Sequence, residues 1–91
     1  MVVDAYRLAD GKKLTALVWI ENTDVYLKRD GFEEKVVFKN ANETLFKVWL
    51  KTYEEANHLN NIGKISIPKE DINDFFKNVN DPKPKRKQKI N

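Results

Sequence analysis

The chain contains one serine, Ser66, one histidine, His58, and no cysteine. A nucleophile and its base would have to come from two residues in different segments, with no recognisable motif around either. Without thiols there is no disulfide, no thiolate nucleophile and no cysteine-based metal site. Carboxylates cluster as Glu33-Glu34, as Glu54-Glu55, and as Glu70, Asp71 and Asp74. Glu70 and Asp74, four apart, could share one side of a helix and meet a hard cation. Their place at the start of that helix is explained more simply by its positive N-terminal end. The three glycines fall in turns and form no phosphate-cradling loop. These features point to a protein that is not an enzyme and that uses no metal and no cofactor.

Aromatic and basic residues offer more. Trp19, Tyr26 and Tyr6, with Lys28 and Lys35 nearby, suit single-stranded nucleic acid, because bases stack on rings while ammonium groups neutralise phosphates. A second basic element closes the chain, where Lys83, Lys85, Arg86, Lys87 and Lys89 follow Asp81 and are interrupted by Pro82 and Pro84. All of the net charge of +3 arises there, since residues 1–80 hold 12 Lys/Arg against 13 Asp/Glu. The composition of 81–91 predicts a disordered basic tail. Such a tail raises affinity for a polyanion without selecting one.

The elements that must position these residues follow from turns and periodicity. Ninety-one residues allow one domain with one core, placed at 1–80. Asp10-Gly11 and Asp30-Gly31 are hairpin-turn signals, and Glu21-Asn22-Thr23-Asp24 supplies a third turn. Strands are predicted over 2–9, 12–20, 25–29 and 32–39. From Asn40 the period becomes 3.6: Leu45, Trp49, Tyr53 and Ala56 recur at helical steps, with Phe46 and Leu50 widening the stripe. Asn40 or Asn42 is the N-cap, and Asn60, Asn61 and Gly63 stop the helix. A second helix is opened by Pro68 and striped by Ile72, Phe75, Phe76 and Val79. The expected fold is α+β: a four-stranded antiparallel meander, with room for a short fifth strand at 64–67, packed by an amphipathic helix over 43–59. A second shorter helix and the disordered tail complete it.

Two-residue loops at 10-11 and 30-31 would gather Val3, Ala5, Leu14, Ala16, Val18, Ile20, Val25, Leu27, Val36 and Phe38 on one face, beneath the first helix. Tyr6, Lys13, Thr15, Leu17, Trp19, Tyr26, Lys28, Glu33, Lys35, Val37 and Lys39 would share the other, with Trp19 directly opposite Tyr26. That second face is either a nucleic-acid platform or cross-strand packing beneath the second helix.

A four-strand meander followed by a helix resembles the unit of PC4-type and whirly-type single-strand DNA-binding proteins. The stretch GKISIPKEDINDFF is similar to the Gly-Lys, short-strand, acidic-helix segment of the PC4 type, although here a complete helix precedes it. The resemblance implies a sheet-based binding role. PKPKRKQK also resembles a nuclear localisation signal. The leading expectation is a small non-enzymatic nucleic-acid-binding protein, single strands favoured. The alternative is a protein–protein interaction module: an adaptor, a regulatory subunit or an inhibitor, such as a mobile element could encode. An unpaired edge strand could also join two copies as a homodimer. No stretch is long and apolar enough for membrane insertion, and the expected location is cytoplasmic, or nuclear in a eukaryote.

Overall fold

A computed structural model describes residues 1–80, apart from the side chains of Asn78 and Asn80. The expected tail and its five cations lie outside the described residues. The element order is β1 (Val2–Asp10), β2 (Lys13–Glu21), β3 (Asp24–Arg29), β4 (Lys35–Phe38), α1 (Glu43–Asn57), β5 (Asn60–Pro68), a 3₁₀ turn (Lys69–Asp71) and α2 (Ile72–Asn80). The five strands form one antiparallel sheet in the order β4-β3-β2-β1-β5. The architecture is therefore α+β, with five strands and two helices. The fifth strand is a full edge of nine residues, well beyond the short 64–67 segment expected.

The turns determine which side chains share a face. Between β2 and β3 the loop is Asn22-Thr23, both at positive φ, as a type I′ hairpin requires, and Trp19 pairs with Tyr26 as expected. The first hairpin differs. Its loop is Gly11-Lys12, with Asp10 opposite Lys13, and an irregularity after Leu8 makes Leu8 pair with Ala16 but Ala9 with Leu14. This odd-numbered slip from the expected register inverts β1 relative to β2. Val3 and Ala5 join Leu17 and Trp19, while Tyr6 and Leu8 join Ala16 and Val18. The extra residue at Thr15 also moves Leu14 to the side opposite Ala16. In the third hairpin five residues, 30–34, replace the two-residue turn, so Val36 lies opposite Tyr26 and Lys35 opposite Leu27.

Both faces of the sheet are covered, each by one helix. α1 packs Phe46 and Leu50 against Leu8, Ala16, Val18, Val25 and Leu27. Asn42 is its N-cap, the side-chain oxygen accepting from the Leu45 N–H at 2.8 Å. The C-cap is His58 at φ 56°, earlier than the Asn60–Gly63 stop expected. α2 packs Ile72 and Phe76 against Val3, Ala5, Leu17, Trp19 and Ile67. Pro68 ends β5 in an extended conformation and does not begin the helix, and the Lys69 N–H donates to the Met1 carbonyl at 2.8 Å. That bond fixes where the chain turns over the sheet.

Along β5 the pairing with β1 slips between Tyr6 and Leu8. There the Arg7 guanidinium donates to the Ile62 carbonyl at 3.0 Å and to that of Gly63 at 3.4 Å. Gly63 has φ +111°, and a Cβ on it would sit 3.1 Å from Arg7 Nη2. Only glycine suits that geometry.

Candidate functional site

The structure separates the sequence-predicted site residues into three environments. Trp19 is 0% exposed and lies beneath α2. Its ring stacks on half-buried Tyr26, centroids 5.5 Å apart and planes 6° from parallel, and its Nε1–H donates to Glu21 Oε1 at 3.3 Å. Lys69 closes the group: its Nζ lies 2.8 Å from the same carboxylate oxygen, 4.0 Å from Glu34 and 5.0 Å above the Tyr26 ring. The hydrogen bond from Lys69 holds the Glu21 carboxyl below its ordinary value against the opposing effect of burial, with Trp19 assisting. Reciprocally, Glu21 raises the Lys69 ammonium. This is a structural clamp between the sheet and the start of α2.

Lys28 is 5% exposed. Its ammonium donates to the carbonyls of Arg29 and Phe32 and sits 5.1 Å over the Phe76 ring. It closes the β3–β4 loop and is spent there, because a buried cation must satisfy its donors locally. The expected stacking platform is thus a core: Trp19 and Lys28 have no surface to offer a base or a phosphate. Lys35 is exposed but belongs to the α1 side, and Tyr6 belongs to that side as well. Lys83, Lys85, Arg86, Lys87 and Lys89 lie outside the described residues.

What remains open lies on the two flanks of α1. On a helix with 3.6 residues per turn, Leu45, Val48, Thr52 and Ala56 share a side with the edge of Trp49, and that side is uncharged as far as its Val48 margin, which Glu55 adjoins. Leu45 is 43% and Val48 59% exposed. Trp49 and Tyr53 stack at 5.1 Å and border the same core cluster as Val37 and Phe38 of β4. The apolar stripe legible in the sequence is therefore wider than the part the sheet covers.

The other flank is charged and meets β1 and β5. Tyr6 lies opposite Lys64 in the sheet and turns its ring edge-on to Phe46, centroids 5.7 Å apart. Lys47 Nζ and Lys64 Nζ lie 5.4 and 5.8 Å from the Tyr6 ring centre. Interaction with the Tyr6 side chain raises the Lys47 ammonium above its ordinary value, and Glu43 adds to the effect. A cleft of about 290 Å³ opens here, lined by Val2, Asp4, Tyr6, Ile20, Glu43 and Lys64 among others. Lys47 and Lys64 were missed in the sequence because only the β1–β5 pairing and the helix docking bring them together. The open Leu45/Val48 flank, in contrast, could have been found by counting charges around the α1 helix.

Among the described residues no three His, Cys, Asp or Glu side chains gather where they could hold a metal ion, and no helix is long and apolar enough to cross a membrane. Comparison with protein-family models, with curated proteins and with solved structures finds no match.

Proposed function

We propose that the chain is a non-enzymatic protein–protein interaction module, an adaptor, regulatory subunit or inhibitor, that docks a partner on the Leu45/Val48 flank of α1. The observation that carries this reading is the exposure of Leu45 and Val48 beside the stacked Trp49 and Tyr53, on a helix side whose bordering charge is Glu55. A helix of 15 residues presents a strip only about 22 Å long, and a stable interface needs roughly 800 Å² from each partner. Two copies meeting flank to flank fall short of that. The fitting occupant is an extended apolar segment of another protein, added to the outer edge of four-residue β4 with alternate side chains laid on the α1 flank.

The test uses Leu45→Glu and Val48→Glu in the full chain. A partner recovered from a native lysate is purified and its affinity measured for wild type and variants, alongside the solution mass of the chain alone. Each variant is expected to weaken binding about tenfold or more, as loss of a central apolar contact does. Unchanged binding by both variants, or a stable dimer that dissociates on Val48→Glu, overturns the reading.

A second reading, nucleic-acid binding, is favoured by the five cations within residues 83–89. Full engagement of duplex DNA by these five gives a slope of about −4.5 in log K against log salt. Truncation after Asn80 should abolish that slope. If the truncated chain binds oligonucleotides as the full chain does, the tail is not the contact.

A further inference from the structure

At the end of β3, beside the start of β4, Arg29 is held in place without its donors being used. Its guanidinium lies over Phe32, the central carbon 3.9 Å from the ring centre. Stacking occupies the face of the group, whereas its N–H donors lie in the plane and stay available. Neither Arg29 nor the exposed Lys35 forms an ion pair among the described residues. Both line a pocket of about 110 Å³ together with Leu27, Phe32 and Glu33. Two cations against one carboxylate leave this lining net positive. Asp10 shares a neighbouring cleft with Arg29 but does not pair with it.

Placement of these groups is fixed by the fold. Leu27 pairs with Lys35 across the strands, and Arg29, two residues on from Leu27, falls on the same side of the sheet. The Phe32 N–H donates to the Arg29 carbonyl at 3.0 Å, which turns the loop back and brings the ring to the guanidinium. An arginine seated on a ring has given up rotamer freedom before a ligand arrives, and its planar fork matches a carboxylate through two parallel hydrogen bonds. Lys39, beyond the other end of β4, is exposed and held over no ring among the described residues. The two ends of the β4 margin therefore differ. Every pair in the sheet is antiparallel, and a segment added to β4 in the same sense has its C-terminal end beside Lys35. We propose that the partner segment docked on β4 carries a carboxylate just after its apolar residues, received by the Arg29 fork with Lys35 alongside, and an apolar side chain next to it in the Leu27–Phe32 pocket. This inference rests on the docking surface proposed above and names the chemistry of its partner. Glu55, which borders the α1 flank, is already opposed by Lys51 at 3.7 Å.

The test is an NMR titration of the full chain at fixed ionic strength, following backbone amide signals, with capped eight-residue peptides. Each alternates valine and threonine over six residues. One ends in two glutamates, one ends in two glutamines, and one begins with the two glutamates. Saturable shifts at Phe32, Lys35 and Val37 are expected with the glutamate-ended peptide. Its Kd should be about tenfold below those of the other two, as a charge-assisted contact provides. A glutamine-ended peptide with a free C-terminal carboxylate separates the two sources of the group: binding as tight as that of the glutamate-ended peptide assigns a chain end, and weaker binding assigns a side chain. Arg29→Lys keeps the charge and loses the fork, so it should remove most of the tenfold gain while leaving the glutamine-ended peptide unaffected. Val48→Glu should weaken all the peptides alike. Thermal melting checks that both variants are folded. Equal affinity of the glutamate-ended and glutamine-ended peptides, or of the glutamate-ended and reversed ones, overturns the carboxylate site and leaves the docking surface standing. Shifts confined to residues 81–91, or no shift at β4 and α1 with any peptide, overturn both.

Discussion

Trp19 and Tyr26 lie directly opposite each other on β2 and β3, ring planes 6° apart, and Lys69, from the 3₁₀ turn that leads into α2, caps the pair over Tyr26. The stack is thus an internal joint between sheet and helix. Its rings contribute area burial together with an aromatic pairing term of about 0.5 to 1.5 kcal/mol.

Trp19→Ala should therefore act on stability. Removing a fully buried indole leaves a cavity beneath Ile72 and Phe76 and costs about 3 to 5 kcal/mol, read as a lower urea midpoint. Any loss of oligonucleotide binding by this variant should track the unfolded fraction. A folded Trp19→Ala protein with a stability loss under about 1 kcal/mol would contradict this packing.

The Lys69–Glu21 clamp should shape the dependence of stability on pH. The folded Glu21 carboxyl is below its ordinary value of 4.5, so its contribution is complete above that pH and is lost as pH falls through the lower folded value. The folded Lys69 ammonium is above 10.5, so its contribution is complete below that pH and is lost as pH rises through the higher folded value. Lys69→Met should flatten both limbs and lower stability in between by about 1 kcal/mol. The measurement is the thermal midpoint of both proteins from pH 3 to about 11.

Around α1 the effect of substitution should depend on the side of the helix. Phe46→Ala removes a buried ring from the core and should cost about 3 to 5 kcal/mol. Val48→Glu, two residues on but exposed, should change stability by no more than about 0.5 kcal/mol. Chemical denaturation of both variants checks the contrast.

Asn42→Ala should destabilise by about 1 kcal/mol, because the Leu45 N–H loses its side-chain acceptor. Asn40→Ala tests the competing reading. Asn40 is at φ 57°, where alanine is strained, but no cap bond is lost. Amide exchange in the first turn of α1 separates the two: it should accelerate for Asn42→Ala alone.

Gly63→Ala should cost about 1 kcal/mol or more, since the methyl group meets both an unfavourable φ and the Arg7 guanidinium. Arg7→Ala should relieve the crowding and recover part of the loss in the double variant. A strictly additive double variant would show that the two residues do not act together.

Element types were legible in the sequence where periodicity was strong. The 3.6 pattern from Leu45 to Ala56 gave the first helix to within two residues, and Asn22-Thr23 gave the register that sets Trp19 against Tyr26. Three things were not legible. An Asp-Gly pair marks a turn but does not say which two residues form the loop, and a shift from 10-11 to 11-12, with the irregularity at Leu8/Ala9, turned β1 over. The length of β5 depends on its pairing with β1, because Asn60, Asn61 and Gly63 are weak strand formers on their own. The burial of Lys28 depends on the five-residue loop, which brings the Phe32 carbonyl to it beside that of Arg29 at the end of β3. For that reason a lysine at an apparent surface position became a core residue.

The irregularity that Arg7 holds open at Ile62 and Gly63 also determines how wide the sheet can grow. A strand arriving on the free side of β5 would find its ladder interrupted mid-length by a twisted step, with Lys64 beyond it and Pro68, which has no N–H to give, at the end. Growth by repeated edge addition, the route to fibres, is disfavoured on this side, so among the described residues the short β4 margin is what is left to recruit another strand at high concentration.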